Sequence, residues 1–350
     1  MDSTIFIAAL VVVERLPGRV VKAADPAVID TSSEYVSVSF MNDGSLIGGY
    51  VAMDGSEHVL RVVRSTNGAR SWDYLGEVFP GEIATHDINN AMPLQLPNGR
   101  ILYAYRNHDR TGDDWHYTYF RISNSYSDDG GKTFKYLSTV EEHVPSGVNG
   151  LWEPFLRIAR DGSLQCYYSA ENSAADQDNL MKYSTDGGST WSNWIAVSGG
   201  DRTSRDGMVG VAPIDNNGNL IAVFENTEDG PFSVDCVLSR DDGLSRGQRN
   251  RLYTARNGKL DGAPQVYNVW GTLVASFMTN EDVNGTSGYD GAQMKVITSV
   301  DGGSTWSASV VTGEAAFHWP GVFNRDTTHF LALYSKDGLR AVSQLYELQD

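Results

Sequence analysis

Two stretches of this chain, Ser299-Val-Asp-Gly-Gly-Ser-Thr-Trp306 and Ser184-Thr-Asp-Gly-Gly-Ser-Thr-Trp191, are identical at seven of eight positions, and their reading decides the fold. A third copy, Ser127-Asp-Asp-Gly-Gly-Lys-Thr-Phe134, keeps the serine, aspartate, second glycine and aromatic. Two decayed copies flank these. Ser65-Thr-Asn-Gly-Ala-Arg-Ser-Trp72 has Asn67 for aspartate and Ala69 for glycine. Ser239-Arg-Asp-Asp-Gly-Leu-Ser-Arg246 has arginine for the aromatic. In such a segment the carboxylate accepts bonds from backbone N–H groups of its own turn, and glycine supplies a positive φ. The aromatic ring then packs back over the hairpin. The first serines are 62, 57, 55 and 60 residues apart. A period of roughly 58 fits six times into 350 residues, the signature of a repeat architecture.

A second column recurs upstream of each turn. Pro93, Pro154, Pro213, Pro264 and Pro320 each open a short apolar segment that ends in a Gly or Asp turn, and Val38 takes that place in the first repeat. Another apolar segment follows each turn, as in Arg100–Tyr105 (RILYAY) and Asn219–Phe224 (NLIAVF). Each unit therefore reads strand, turn, strand, loop, strand, Ser-x-Asp turn, strand. Four antiparallel strands per repeat make a propeller blade. The sixth unit runs out of chain before its fourth strand, so an early segment, Arg19 to Ala24, is expected to complete that blade and close the ring. The fold class is all-β, a six-bladed β-propeller, with residues 1–350 read as one domain.

Composition agrees and narrows the partners. The chain is 41% apolar, with 36 glycines, 17 tyrosines, 12 phenylalanines and 8 tryptophans. Its formal charge of −17 argues against nucleic acid or an anionic membrane as partner. The apolar stretch Thr4 to Val13 is too short to span a bilayer and lacks the basic flank of a secretory signal. It reads as a strand or a docked N-terminal segment. Asn284-Gly285-Thr286 matches a glycosylation acceptor, a tripeptide common by chance. Cys166 and Cys236 fit no metal signature and are expected as free, half-buried thiols, with a disulfide as the alternative. Seven scattered histidines show no ligand spacing, so no metal or other cofactor is expected.

Strand order then points to a site. The start of strand one and the end of strand two meet at one mouth of the central channel. The Ser-x-Asp turns join strands three and four, at the opposite face. Immediately before the strand-one proline, or at its equivalent, stand Ser37, Met92, Glu153, Ala212, Ala263 and Trp319. At the end of strand two stand Val51, Arg106, Ser169, Glu225, Met278 and Tyr334. Glu153 and Glu225 thus fall in adjacent blades, three and four, where most other blades place small or apolar residues. Two facing carboxyls are what glycoside hydrolysis needs. The apolar neighbours Trp152 and Pro154 favour Glu153 as proton donor, and the polar Asn226 and Thr227 favour Glu225 as the ionised group. The reverse assignment stays open, as does the plainer reading in which either glutamate pairs with Arg106 or Arg205. Glu171 is the rival catalytic carboxylate. His86, Asp87, Trp115, Tyr117, Arg205, Asp206, Tyr289, Asp290, His318 and Trp319 are candidates for the same rim, where aromatic platforms and polar forks hold sugars.

The repeat with its Asp-box turns resembles the sialidase superfamily over essentially the whole chain, but the first repeat, Tyr35–Gly44, lacks the early Arg-Ile-Pro motif of true sialidases, and no arginine triad is visible. The segments GLWEPFL (150–156), SRDGMVGVAP (204–213), AVFENTED (222–229) and FHWPGVF (317–323) resemble instead glycoside hydrolase family 93, the exo-α-1,5-L-arabinanases. That resemblance implies a secreted, metal-independent retaining enzyme that releases arabinobiose from linear arabinan. It also implies that Glu153 and Glu225 are the catalytic pair. A monomer acting on an oligosaccharide is expected. The alternatives are a sialidase or another exo-glycosidase on the same scaffold, and a non-catalytic glycan-binding propeller.

Overall fold

A computed structural model describes residues 18–349 except 113–115, 285–287, 290, 314–316 and 337–339. Trp115, Asp290, the Thr4–Val13 segment and part of the Asn284 tripeptide lie outside the described residues. Six antiparallel sheets follow one another around a ring. Blade one is Ser33–Phe40, Leu46–Asp54, Glu57–Ser65 and Asp73–Glu82, and blade two is His86–Gln95, Ile101–Thr111, His116–Ser127 and Lys135–His143. Blade three is Leu151–Ile158, Leu164–Ser173, Asp176–Ser184 and Ile195–Ser198. Blade four is Gly207–Pro213, Leu220–Asn226, Ser233–Ser239 and Arg249–Tyr253, and blade five is Asp261–Val269, Thr272–Thr279, Gln293–Ser299 and Val310–Gly313.

Blade six takes Phe317–Asn324, His329–Lys336 and Arg340–Gln349 from the C-terminal end. Its outer strand comes from the N-terminal end, as the sequence predicts. Arg19–Lys22 pairs with one half of the last strand (Arg19↔Gln349) and Ala27–Asp30 with the other (Ala27↔Ser343), so two short segments do the work expected of one. Closing the ring in this way ties an N-terminal segment to the last described strand and covers that strand's outer edge.

Blades pack face to face, so a middle strand is buried on both sides and its sequence need not alternate. Leu220 to Phe224 are all buried in strand two of blade four. Outer strands alternate instead, as in Lys135–His143. The largest side chains buried between blades include Tyr103, Tyr105, Tyr167, Tyr168, Phe224, Phe277 and Phe330. Each such ring contributes roughly 1.5–3 kcal/mol by leaving water. Cys166 and Cys236 are buried in this packing and free.

All five Ser-x-Asp turns join strands three and four. In the third, Asp186 accepts from the Ser184 hydroxyl (2.7 Å), the Ser189 and Thr190 N–H groups (3.0 and 2.9 Å) and the Thr190 hydroxyl (2.7 Å). These bonds pull its pKa down to about 2. The ring that ends the turn reaches the preceding blade: Trp191 Nε1 donates to Ser138, and Trp72 Nε1 donates to Ser343 of blade six. In the decayed first copy Ala69 takes the glycine's left-handed conformation, with φ 67°.

Candidate active site

One backbone feature recurs six times and places the site. Tyr35, Asn90, Glu153, Met208, Ala263 and Trp319 all have positive φ, between 48° and 57°. Each sits at a register break in strand one of its blade, between Glu34/Ser37, Asn89/Met92, Trp152/Phe155, Gly207/Gly210, Gly262/Gln265 and His318/Gly321. A bulge of this kind re-aims its side chain, and holding a residue other than glycine there costs about 1–2 kcal/mol. Five of the six, all but Ala263, line a channel of about 80 Å³ near the axis.

This ring corrects the column expected at strand one. Glu153, Ala263 and Trp319 are placed correctly because proline follows the bulge directly in blades three, five and six. In blades one, two and four the bulged residues are Tyr35, Asn90 and Met208, not Ser37, Met92 and Ala212. Pro93 and Pro213 lie three and five residues beyond the bulge. The column at strand two holds for five blades, with Val51, Arg106, Ser169, Glu225 and Met278 each opposite the residue before the bulge. In blade six that place belongs to Ser335, not Tyr334.

Glu153 and Glu225 meet where blades three and four adjoin. Both line a cavity of about 130 Å³ together with Trp152, Glu171, Gln177, Arg205 and Phe232. Glu153 also lines the axial channel, so it stands between the two spaces. Its Oε2 accepts a long bond from Met208 N–H (3.4 Å). Burial pushes its pKa up, while Arg106, Ser169 and Met208 pull it down. Glu225 accepts a 2.7 Å bond from Ala263 N–H. Burial pushes its carboxyl up to about 7, the Ala263 N–H and Arg205 oppose that rise, and the Glu153 charge adds to it. Because the charge of one raises the other, the two carboxyls titrate as a coupled pair.

The sequence around Glu225 is cut to fit it. Gly262 stands at the strand-one position just before the blade-five bulge, where a Cβ would overlap both Glu225 Oε2 and the Tyr289 hydroxyl. On the other side Gly207 is the register partner of Glu225. The cavity's single arginine is already engaged: Arg205 donates to Glu171 (2.6 Å) and Gln177 (3.0 Å). Glu171 also accepts from Gly150 N–H (3.1 Å). Behind Trp152, Arg106 is buried against Asp87 (2.9 Å), and Tyr117 donates to the same carboxylate (2.6 Å). The Arg106 guanidinium lies 5.0 Å from the Trp152 ring centre. Among the described residues no group of three His, Cys, Asp or Glu side chains could hold a metal ion.

Comparison with known proteins adds the fold. No family model matches the chain, and no curated protein matches its sequence. Solved structures do match. An α-L-arabinanase of Penicillium chrysogenum complexed with arabinobiose is 19% identical, with TM-score 0.70, over 92% of this chain and 95% of that one. A family GH93 α-L-arabinofuranosidase of Fusarium graminearum with arabinobiose is 18% identical, with TM-score 0.68, over 95% and 98%. The Hadza microbial sialidase Hz136 is 16% identical, with TM-score 0.61, over 91% of this chain and 66% of that one. The chain shares their propeller fold.

Within that fold the predicted rim separates into three groups. Trp152, Glu171 and Arg205 line the cavity of the two glutamates, and Tyr289 stands behind Glu225. Arg106, Asp87 and Tyr117 form the wall behind Trp152. Trp319 stacks on Tyr35, with ring centres 4.6 Å apart, and lines the axial channel. His318, just before it, is near enough to Glu34 for its charge to lower that carboxyl's pKa.

Three candidates fall elsewhere. His86 is the first residue of strand one of blade two, bonded to Thr85 and 3.8 Å from Asp109, and lines neither the cavity nor the axial channel. Asp206 is fully buried against Arg249, which it holds at 2.9 Å. Tyr334 is buried between blades, with its hydroxyl on Gln344 (3.1 Å). Sequence reasoning missed Gln177, Phe232, Tyr35 and Asn90. The last two were within reach, because they precede the Glu153 position by about two repeat lengths and one, respectively.

Proposed function

We propose that this protein is a retaining, exo-acting glycoside hydrolase that releases arabinobiose from linear α-1,5-L-arabinan. The observation that carries the reading is the pair Glu153 and Glu225, set in neighbouring blades on one cavity, with burial pushing the Glu225 carboxyl up to about 7. In the first step Glu225 gives its proton to the glycosidic oxygen while Glu153 attacks the anomeric carbon, leaving a glycosyl ester. In the second, Glu225 takes a proton from water, whose oxygen displaces Glu153 and restores both groups. This reverses the assignment that the flanking residues favour. Glu225 has the carboxyl raised to about 7 and suits the proton carrier. Burial raises Glu153 as well, but Arg106, Ser169 and the Met208 N–H oppose that rise and favour its anion.

Charge supports a neutral sugar over an acidic one. The cavity holds Glu153, Glu171 and Glu225 against Arg205 alone, and Arg205 is bound to Glu171. Arg106 is likewise bound to Asp87. A carboxylate-bearing sugar would meet repulsion without a guanidinium to spare. The arabinobiose held by two structures of the same fold supports the substrate class. We further propose a monomer working outside the cell. Product analysis on linear arabinan, with a sialyl substrate as control, tests the reading. Arabinobiose as the first product is expected, and release of sialic acid with no cleavage of arabinan would overturn it.

A further inference from the structure

Beside Glu225 stands a polar atom that the reaction above leaves unused. The Tyr289 hydroxyl is buried and has no hydrogen-bond partner among the described residues. A buried, unpaired hydroxyl costs roughly as much as a lost hydrogen bond, so its position needs a reason. The loop that carries it, between strands two and three of blade five, is fixed beside it. Asn280 Nδ2 donates to Gly288 O (2.6 Å), and Ala292 N–H donates to Tyr289 O (2.9 Å). The ring rests against Phe232, 6.5 Å between centres. The hydroxyl and Glu225 Oε2 both lie inside the van der Waals reach of one point, the missing Cβ of Gly262. Glycine at 262 is what lets the two oxygens approach each other.

We propose that Tyr289 is a positioning residue for Glu225: its hydroxyl donates a hydrogen bond to the Glu225 carboxylate once that group has given up its proton. The inference rests on the reading of Glu225 as the proton carrier. Burial, together with the Glu225 and Asp261 charges, holds the phenol far above its ordinary range, so it stays a neutral donor throughout. The charged groups around Glu225 are Glu153 from blade three, Arg205 from the loop before blade four, and Asp261 from blade five. Asp261 is the other acceptor near the phenol, but its two oxygens already take the N–H groups of Ala255 (2.7 Å) and Val234 (3.1 Å). With Glu225 protonated, the hydroxyl lacks an anionic partner. With Glu225 ionised, it gains one. The contact therefore favours the carboxylate, and Tyr289 limits how far burial can raise its pKa.

The test is a carboxyl ¹³C NMR titration of Glu225, its signal identified by loss in Glu225→Gln, in wild type and in Tyr289→Phe. Removing a donor to a charged group should raise the Glu225 titration point by about one pH unit, a tenfold change in proton affinity. The basic limb of kcat/KM on arabinan should move up with it. Uniform replacement of tyrosine by 3-fluorotyrosine, compared in wild type and Tyr289→Phe, keeps the ring's shape and strengthens the donor. It should lower the titration point only where Tyr289 is present. An unmoved titration point in both experiments would overturn the inference. Absence of arabinan cleavage by wild type, with the NMR shifts intact, would instead overturn the substrate reading and leave the Tyr289 contact standing.

Discussion

Replacing Glu225 with glutamine should stabilise the folded protein, and only where the glutamate would be ionised. The carboxyl ordinarily ionises at 4.5 and is pushed up to about 7 here, chiefly by burial. Each pH unit between unfolded and folded values corresponds to about 1.4 kcal/mol. Ionising Glu225 in the folded chain therefore costs ~3 kcal/mol more than in the unfolded one. The folded state holds this proton more tightly, so the group's contribution is fully present below pH 4.5. It declines as the unfolded chain ionises and is lost once the pH passes about 7. Glutamine has no such linkage. Urea unfolding of wild type and Glu225→Gln from pH 4 to pH 9 measures the difference, in which most other titrations cancel. The stability gap should widen by ~3 kcal/mol between pH 4 and pH 8, the form that a functional charge held at a stability cost should take. A gap that does not change with pH would refute the argument that Glu225 is held in an environment hostile to its charge.

Three further outcomes follow from the same geometry. The kcat/KM profile should fall about tenfold per pH unit above neutrality, as Glu225 loses the proton it must donate; a flat profile from pH 6 to pH 9 would contradict that. Arg205→Met removes a cation that pulls the Glu225 carboxyl down and leaves Glu171 without its ion pair, so the basic limb should shift to higher pH and KM on arabinan should rise. Asp186→Ala should lower stability by about 1–2 kcal/mol through lost turn hydrogen bonds. Its kcat should stay unchanged, because strand polarity puts that turn on the face opposite the glutamates.

The architecture was legible because the turns repeat a chemistry that each turn needs for itself. Carboxylate, glycine and aromatic recur at one period whatever surrounds them. The strand-two column was legible for a related reason: the inner turns keep their length in five blades, so counting from the turn glycine reaches Arg106 and Glu225. Blade six has Asn324-Arg325-Asp326 in place of a glycine turn, and the count slips by one to Tyr334. In a strand one residue is the difference between the two faces. The bulges are marked in the local sequence only in blades three, five and six, where proline follows directly; the six bulged residues themselves share no chemistry. Asp206 misled because its partner, Arg249, lies 43 residues away in the outer strand. The roles proposed for the two glutamates could not be read from their neighbours in sequence. Glu153 sits at a bulge, and although Trp152 and Pro154 share its cavity and channel, their apolar character does not decide its charge. What it meets is Arg106, from the neighbouring blade.

The central claim, that Glu153 is the nucleophile and Glu225 the acid and base of one retaining site, is tested most directly by azide rescue of Glu225→Ala on an aryl α-L-arabinobioside with a good leaving group. Such a substrate needs no proton to depart, so Glu153 should still form the glycosyl ester, and azide should attack it without a general base. The account predicts turnover that rises with azide and a glycosyl azide of the same anomeric configuration as the substrate. An azide product of opposite configuration would exchange the two roles. Turnover of linear arabinan near the wild-type rate by the folded variant would mean that Glu225 is not the acid and that the site lies elsewhere.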